Sequence, residues 1–126
     1  MPAHAPICDL ASAHSLFAGL GRAPREVVGL AYLDPEWRIL GCRHSVGGVT
    51  YVRAPIRLVA RDALAFGAHG VVMAHNHPSG DPTPSARDLA YTQALARALA
   101  ALEITLFDHL VIAGDRVVSL RERGVL

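Results

Sequence analysis

His75 and His77 are separated by one residue, and seven intervening residues separate His77 from Ser85, with Asp88 three further on, so the whole set lies within fourteen residues. Imidazole nitrogen and carboxylate oxygen are both zinc ligands, at about 2.0–2.2 Å. Residues two apart in extended backbone project to one face, so the two imidazoles can converge on one ion. Asp88 lies one loop away, in the first turn of the next expected helix. Two histidines and one carboxylate leave the fourth tetrahedral position free, which separates a catalytic zinc site from a structural one. A zinc ion so held brings the pKa of a water from about 15.7 towards about 7 and gives a nucleophile at neutral pH.

Each residue also has a plainer reading. A histidine pair spaced by one residue arises often by chance, and a loop rich in proline serves as a rigid turn. Ser85-Ala86-Arg87-Asp88 reads as a capping box, with Ser85 as N-cap and Asp88 at the third helical position. The two readings of Asp88 are compatible, because capping pins the turn that presents the ligand.

The elements around these residues follow from hydrophobic periodicity and turn chemistry. A short helix is expected over 9–20, with Leu10, His14, Phe17 and Ala18 on one face. A β-rich segment runs over 26–34, a turn falls at Asp34-Pro35-Glu36, and a returning strand begins at Trp37. A third short strand is expected over 49–52. Pro55 sits at the first position of a helix whose apolar residues are Ile56, Val59, Ala60, Ala63 and Leu64. Gly70 to His75 forms an apolar strand, and the loop NHPSGDPTPS leads into a long helix over 86–102. Two final strands, ITLFDHLVIAG and RVVSL, meet at a Gly114-Asp115 turn. The fold class expected is α/β, a layered α-β-α arrangement around a central mixed sheet. In such sheets ligands bind beyond the carboxyl ends of strands, which is where His75 falls.

Length and composition narrow the function classes. The 126 residues suit one domain, 1–126, with a short N-terminal helix before about residue 22. Just over half the residues are hydrophobic, at 52%, so a core can form without a structural metal. The net charge is +1 and all 12 basic residues are arginine, spread along the chain. Nucleic-acid binding is therefore not supported by charge. No run reaches the roughly 18 apolar residues of a membrane span, and the start of the chain lacks the pattern of a signal peptide. A cytoplasmic protein is expected. Cys8 and Cys42 form no CxxC pair and read as small buried hydrophobes.

The string AHNHPSGDPTPSARD contains the HxHx(7)SxxD motif and resembles the RadC branch of the JAMM (MPN+) metalloproteins. The likeness continues through LFDHLVIAGD and SLRERGVL and reaches back to REVVGLAYLD, so it covers roughly 25–126. It implies a JAB/MPN fold of the cytidine-deaminase-like type and one zinc ion per chain on His75, His77 and Asp88. It also implies that Glu26 is the general base, taking a proton from the zinc-bound water and passing it to the leaving amine. Ser85 corresponds to the serine that helps hold the oxyanion. Asn76 takes a position where many JAMM proteins carry serine or threonine. Asp108 and His109 match the family's Asp-His pair and read as structural, with His109 able to orient a ligand from behind.

Two departures stand out. Only a short segment precedes Glu26, so the helix-hairpin-helix region usual in RadC proteins is not expected in this chain. Pro55-Ile56-Arg57 replaces the family's Pro-Arg-Glu. The function implied is a zinc-dependent metallopeptidase or isopeptidase acting on a peptide or protein substrate. The alternatives are a DNA-repair-associated RadC factor and a non-catalytic MPN interaction module. A zinc deaminase would need HxE and PCxxC, and the chain has no PCxxC. Substrate identity and oligomeric state are not written in the sequence.

Overall fold

The computed structural model describes residues 10–46 and 54–126, and the strand expected over 49–52 lies outside them. Helix α1 (Leu10–Phe17) passes into a 3-10 turn (Ala18–Arg22) and then into β1 (Val27–Leu33). Next come β2 (Ile39–Val46), α2 (Ile56–Phe66), β3 (Gly70–Asn76), α3 (Ala86–Ala101), β4 (Thr105–Ala113) and β5 (Arg116–Ser119). The five strands form one sheet in the order β2-β1-β3-β4-β5. Among the described residues only the β3–β4 pairing is parallel, bridged by α3; the other pairings are antiparallel. A mixed sheet between helices is what the apolar patterning required.

Alternation along β3 sorts its side chains between two cores. Val71 and Met73 face α2 and α3, packing with Val59, Ala63, Leu95 and Leu99. Val72 and Ala74 face α1, packing with Ala13, Phe17, Leu110 and Ile112. Every residue of β3 is buried, which suits a central strand covered on both faces. The same alternation carries His75 to the α3 side and Asn76 to the α1 side. Gly29 lets the α1 layer approach closely, because a Cβ there would lie 2.7 Å from the Phe17 ring.

Several local expectations need correction. Pro55 is the N-cap of α2 rather than its first helical residue, which still spares the helix a missing N–H. Leu64 is exposed rather than on the packed face of α2. Ala18 is also exposed, because the change to 3-10 geometry shifts the inward face of that segment to Leu20. Trp37 is part of the turn, with φ of 68°, and its ring stacks on Phe107 at 3.6 Å. Cys42 is a free, exposed thiol rather than a buried hydrophobe, since β2 is an edge strand among the described residues. Cys8 lies outside the described residues. Among the described residues no helix is long and apolar enough to cross a membrane.

A buried carboxylate ties α2 to the sheet. Asp62 accepts a hydrogen bond from the Tyr32 hydroxyl at 3.1 Å and is gripped by the Arg43 guanidinium, whose Nη2 lies 3.0 Å from Oδ1. Burial, and then the Asp62 charge, push the Tyr32 phenol above its ordinary value. An unfolded chain loses that proton near pH 10 while the folded chain keeps it. The stability from this contact is therefore complete below about pH 10 and falls as the pH rises further. Tyr32→Phe should flatten the alkaline limb of a denaturation midpoint plotted against pH; an unchanged limb would contradict the assignment.

Candidate metal centre

β3 ends where the chain leaves the sheet, and α3 begins ten residues later against the same sheet face. The α3 N-terminus carries the expected capping box: Ser85 Oγ accepts from the Asp88 amide at 3.0 Å, and Asp88 Oδ2 accepts from the Ser85 amide at 2.8 Å. This holds the Asp88 carboxylate, 2% exposed, over the end of β3. His75 Nε2 lies 3.0 Å from His77 Nε2 and 3.5 Å from Asp88 Oδ1, and His77 Nε2 lies 3.3 Å from Asp88 Oδ2. Donor atoms of all three residues fall within 4.8 Å of one another, a grouping that could hold a metal ion. Atoms about 2.0–2.1 Å from a tetrahedral ion lie about 3.3–3.4 Å apart, and the observed separations of 3.0–3.5 Å are close to that spacing, with the two histidines nearest different oxygens of Asp88.

Hydrogen-bond direction tests the fit independently. The Thr92 hydroxyl donates to the Asp88 carbonyl at 2.7 Å, so its oxygen accepts from His109 Nδ1, also at 2.7 Å. His109 Nε2 is then the acceptor for His75 Nδ1 at 2.7 Å. On the other histidine, the Asp81 carbonyl lies 2.9 Å from His77 Nδ1 and can only accept. Both rings in their neutral form therefore carry the proton on Nδ1 and turn the Nε2 lone pair inward. In those tautomers two Nε2 lone pairs and a carboxylate face one another. Such a set is suited to a cation.

The loop between the ligands is itself built to hold His77. Prolines occupy positions 78, 82 and 84. Asp81 Oδ1 accepts from the Thr83 amide at 3.0 Å and from its hydroxyl at 2.7 Å. Those bonds, the hydroxyl first, keep the Asp81 carboxyl below its ordinary pKa. They also orient the peptide whose carbonyl receives His77.

Glu26 directly precedes β1 and is half-buried. The β1–β3 ladder ends at Val28 and His75, two residues after Glu26. Glu26 does not belong to the converging ligand group. Glu36 and Glu103, the other glutamates weighed against Glu26 for the base, are both exposed, and Glu36 pairs with Arg38 at 2.6 Å. Asp108 is buried, accepting from the His109 amide at 2.7 Å, the Ser119 hydroxyl at 2.5 Å and the Arg121 amide at 3.1 Å. It fixes the β4–β5 end of the sheet and lets His109 face the site. His14, His44 and His69 are not among the ligand group, and His4 lies outside the described residues.

Sequence reasoning overlooked Thr92 and the Asp81 carbonyl. Thr92 was within reach, because it lies four residues after Asp88 and so on the same helical face; a backbone carbonyl leaves no sequence signal. Because Thr92 and His109 set the His75 tautomer, His109→Ala should weaken metal affinity about 10–100-fold. Competition against a chromogenic chelator measures it, and unchanged affinity would show that the His75 orientation does not depend on His109.

A family model described as a RadC-like JAB domain matches residues 8–125. A UPF0758 protein of Bordetella avium (strain 197N) is 43% identical over 109 residues, 85% of this chain and 48% of that protein. One from Janthinobacterium sp. (strain Marseille) is 39% identical over 108 residues, again 85% and 48%. A third, from Stenotrophomonas maltophilia (strain K279a), is 43% identical over 104 residues, 81% and 44%. The chain thus spans about half the length of the curated relatives it matches. On the extent of that family match, the chain belongs to the RadC-like JAB domain family.

Proposed function

We propose that this chain is a zinc-dependent hydrolase of peptide or isopeptide bonds, with His75, His77 and Asp88 as ligands. The observation that carries the reading is the inward convergence of two Nε2 lone pairs and one carboxylate. Zinc supplies a Lewis acid that generates a nucleophile from water at neutral pH. Glu26, which directly precedes β1, would act as the general base that takes the proton from water and delivers it to the leaving amine. Ser85 donates to the developing oxyanion from the N-cap of α3. The ligand set argues against a non-catalytic module, which has no use for an open coordination position. An exposed free thiol at Cys42 suits the reducing cytoplasm.

The test is direct. Zinc-loaded protein is incubated with a mixed library of peptides and lysine-branched isopeptides, and new amino termini or free lysine side chains are read by mass spectrometry. Cleavage that disappears with chelator and in His77→Ala supports the reading. Cleavage that persists in His77→Ala, or stoichiometric zinc with no cleavage of either bond type, would count against it.

A further inference from the structure

Asn76 lies between the two histidines, yet its side chain points to the opposite face of β3. It is 1% exposed and makes three hydrogen bonds, all to one short stretch of backbone. Its Oδ1 accepts from the Val27 amide at 2.6 Å. Its Nδ2 donates to the Arg25 carbonyl at 2.8 Å and to the Ala23 carbonyl at 3.2 Å. The carboxamide acts as a substitute peptide group. It pairs with the chain just before β1, where the β1–β3 ladder ends at Val28 and His75. The bonds to Arg25 and Val27 fall on either side of Glu26.

We infer that Asn76 is a positioning residue for Glu26: its carboxamide clamps the backbone on both sides of that residue and so fixes the carboxylate relative to the ligand cluster. Three consecutive residues then serve one site from two faces, with His75 and His77 presenting lone pairs and Asn76 anchoring the opposing strand. The chemistry asks for a carboxamide here. A serine or threonine hydroxyl has one donor and cannot serve two carbonyls while accepting from an amide at this reach. An aspartate has the right shape but meets the Ala23 and Arg25 carbonyls with oxygen rather than N–H. The inference rests on the general-base reading of Glu26, and its test separates the two.

The test loads the protein with cobalt(II) and follows paramagnetic shifts by NMR in wild type, Asn76→Asp and Asn76→Ser. In wild type, the Glu26 side chain should show a large cobalt-induced shift along with His75 and His77. In both variants the histidine shifts should persist and the Glu26 shift should collapse or split. In Asn76→Ser, exchange of the Val27 amide should accelerate about tenfold for the lost hydrogen bond, while amides in the middle of β3 stay protected. Wild-type Glu26 without a cobalt shift would overturn both the general-base reading and the clamp. A wild-type shift retained in the variants would overturn the clamp alone. Should the variants fail to fold, the wild-type Val27 amide still decides: protection supports the clamp, and exchange at the rate of an open amide refutes it.

Discussion

Glu26→Gln protein should bind zinc as tightly as wild type and hydrolyse its substrate about 10²–10⁴-fold more slowly, the usual contribution of a positioned general base. The substitution keeps the size and half-buried position of the side chain but removes the group that accepts a proton. Glu26 lies outside the converging ligand group, so the metal should be indifferent to its charge state. Zinc stoichiometry and rate must be measured on the same sample. Loss of zinc would make Glu26 a ligand; full activity would return it to the ordinary role of a solvated residue at a strand end.

Asp88→Asn carries the second large effect and separates two functions of one carboxylate. The amide oxygen of asparagine can still accept from the Ser85 amide, and Ser85 Oγ can still accept from the backbone of residue 88. The helix cap should survive, with a stability change below the roughly 1 kcal/mol that loss of a cap costs. Metal affinity should fall by more than about 100-fold, beyond what removing a supporting partner of a ligand costs. Asp88→Ala should lose both, with lower metal affinity and a lower melting temperature of the metal-free protein. If Asp88→Asn bound zinc normally, the carboxylate would be a cap and nothing more.

Much of this was legible because β3 and α3 obey simple periods. The spacing of His75 and His77 needs only an extended backbone to become convergence, and Ser85 and Asp88 announce a helix start whether or not a metal is present. Edge positions were less legible. Cys42 has the apolar character of a core residue, but among the described residues its strand pairs on one side only, and sequence does not say which strand ends up at the edge. Trp37 looked like the first residue of a strand until its stacking on Phe107 drew it into the turn. The role of Asn76 was hidden for a different reason: its partners are backbone atoms about fifty residues away, at Ala23, Arg25 and Val27. Glu26 was selected by resemblance alone, and it lies just before β1, outside the ladder that ends at Val28 and His75.

The proline-rich loop between the histidines and Asp88 bears on how readily a metal is taken up. Prolines at 78, 82 and 84 restrict the backbone before folding, and Asp81 locks the turn through Thr83. Little conformational entropy is left to lose when an ion arrives, so most of the binding free energy can appear as affinity. The metal-free and metal-loaded chains should accordingly share one backbone over 75–88, and zinc should bind at a rate set by its own dehydration rather than by closure of the loop.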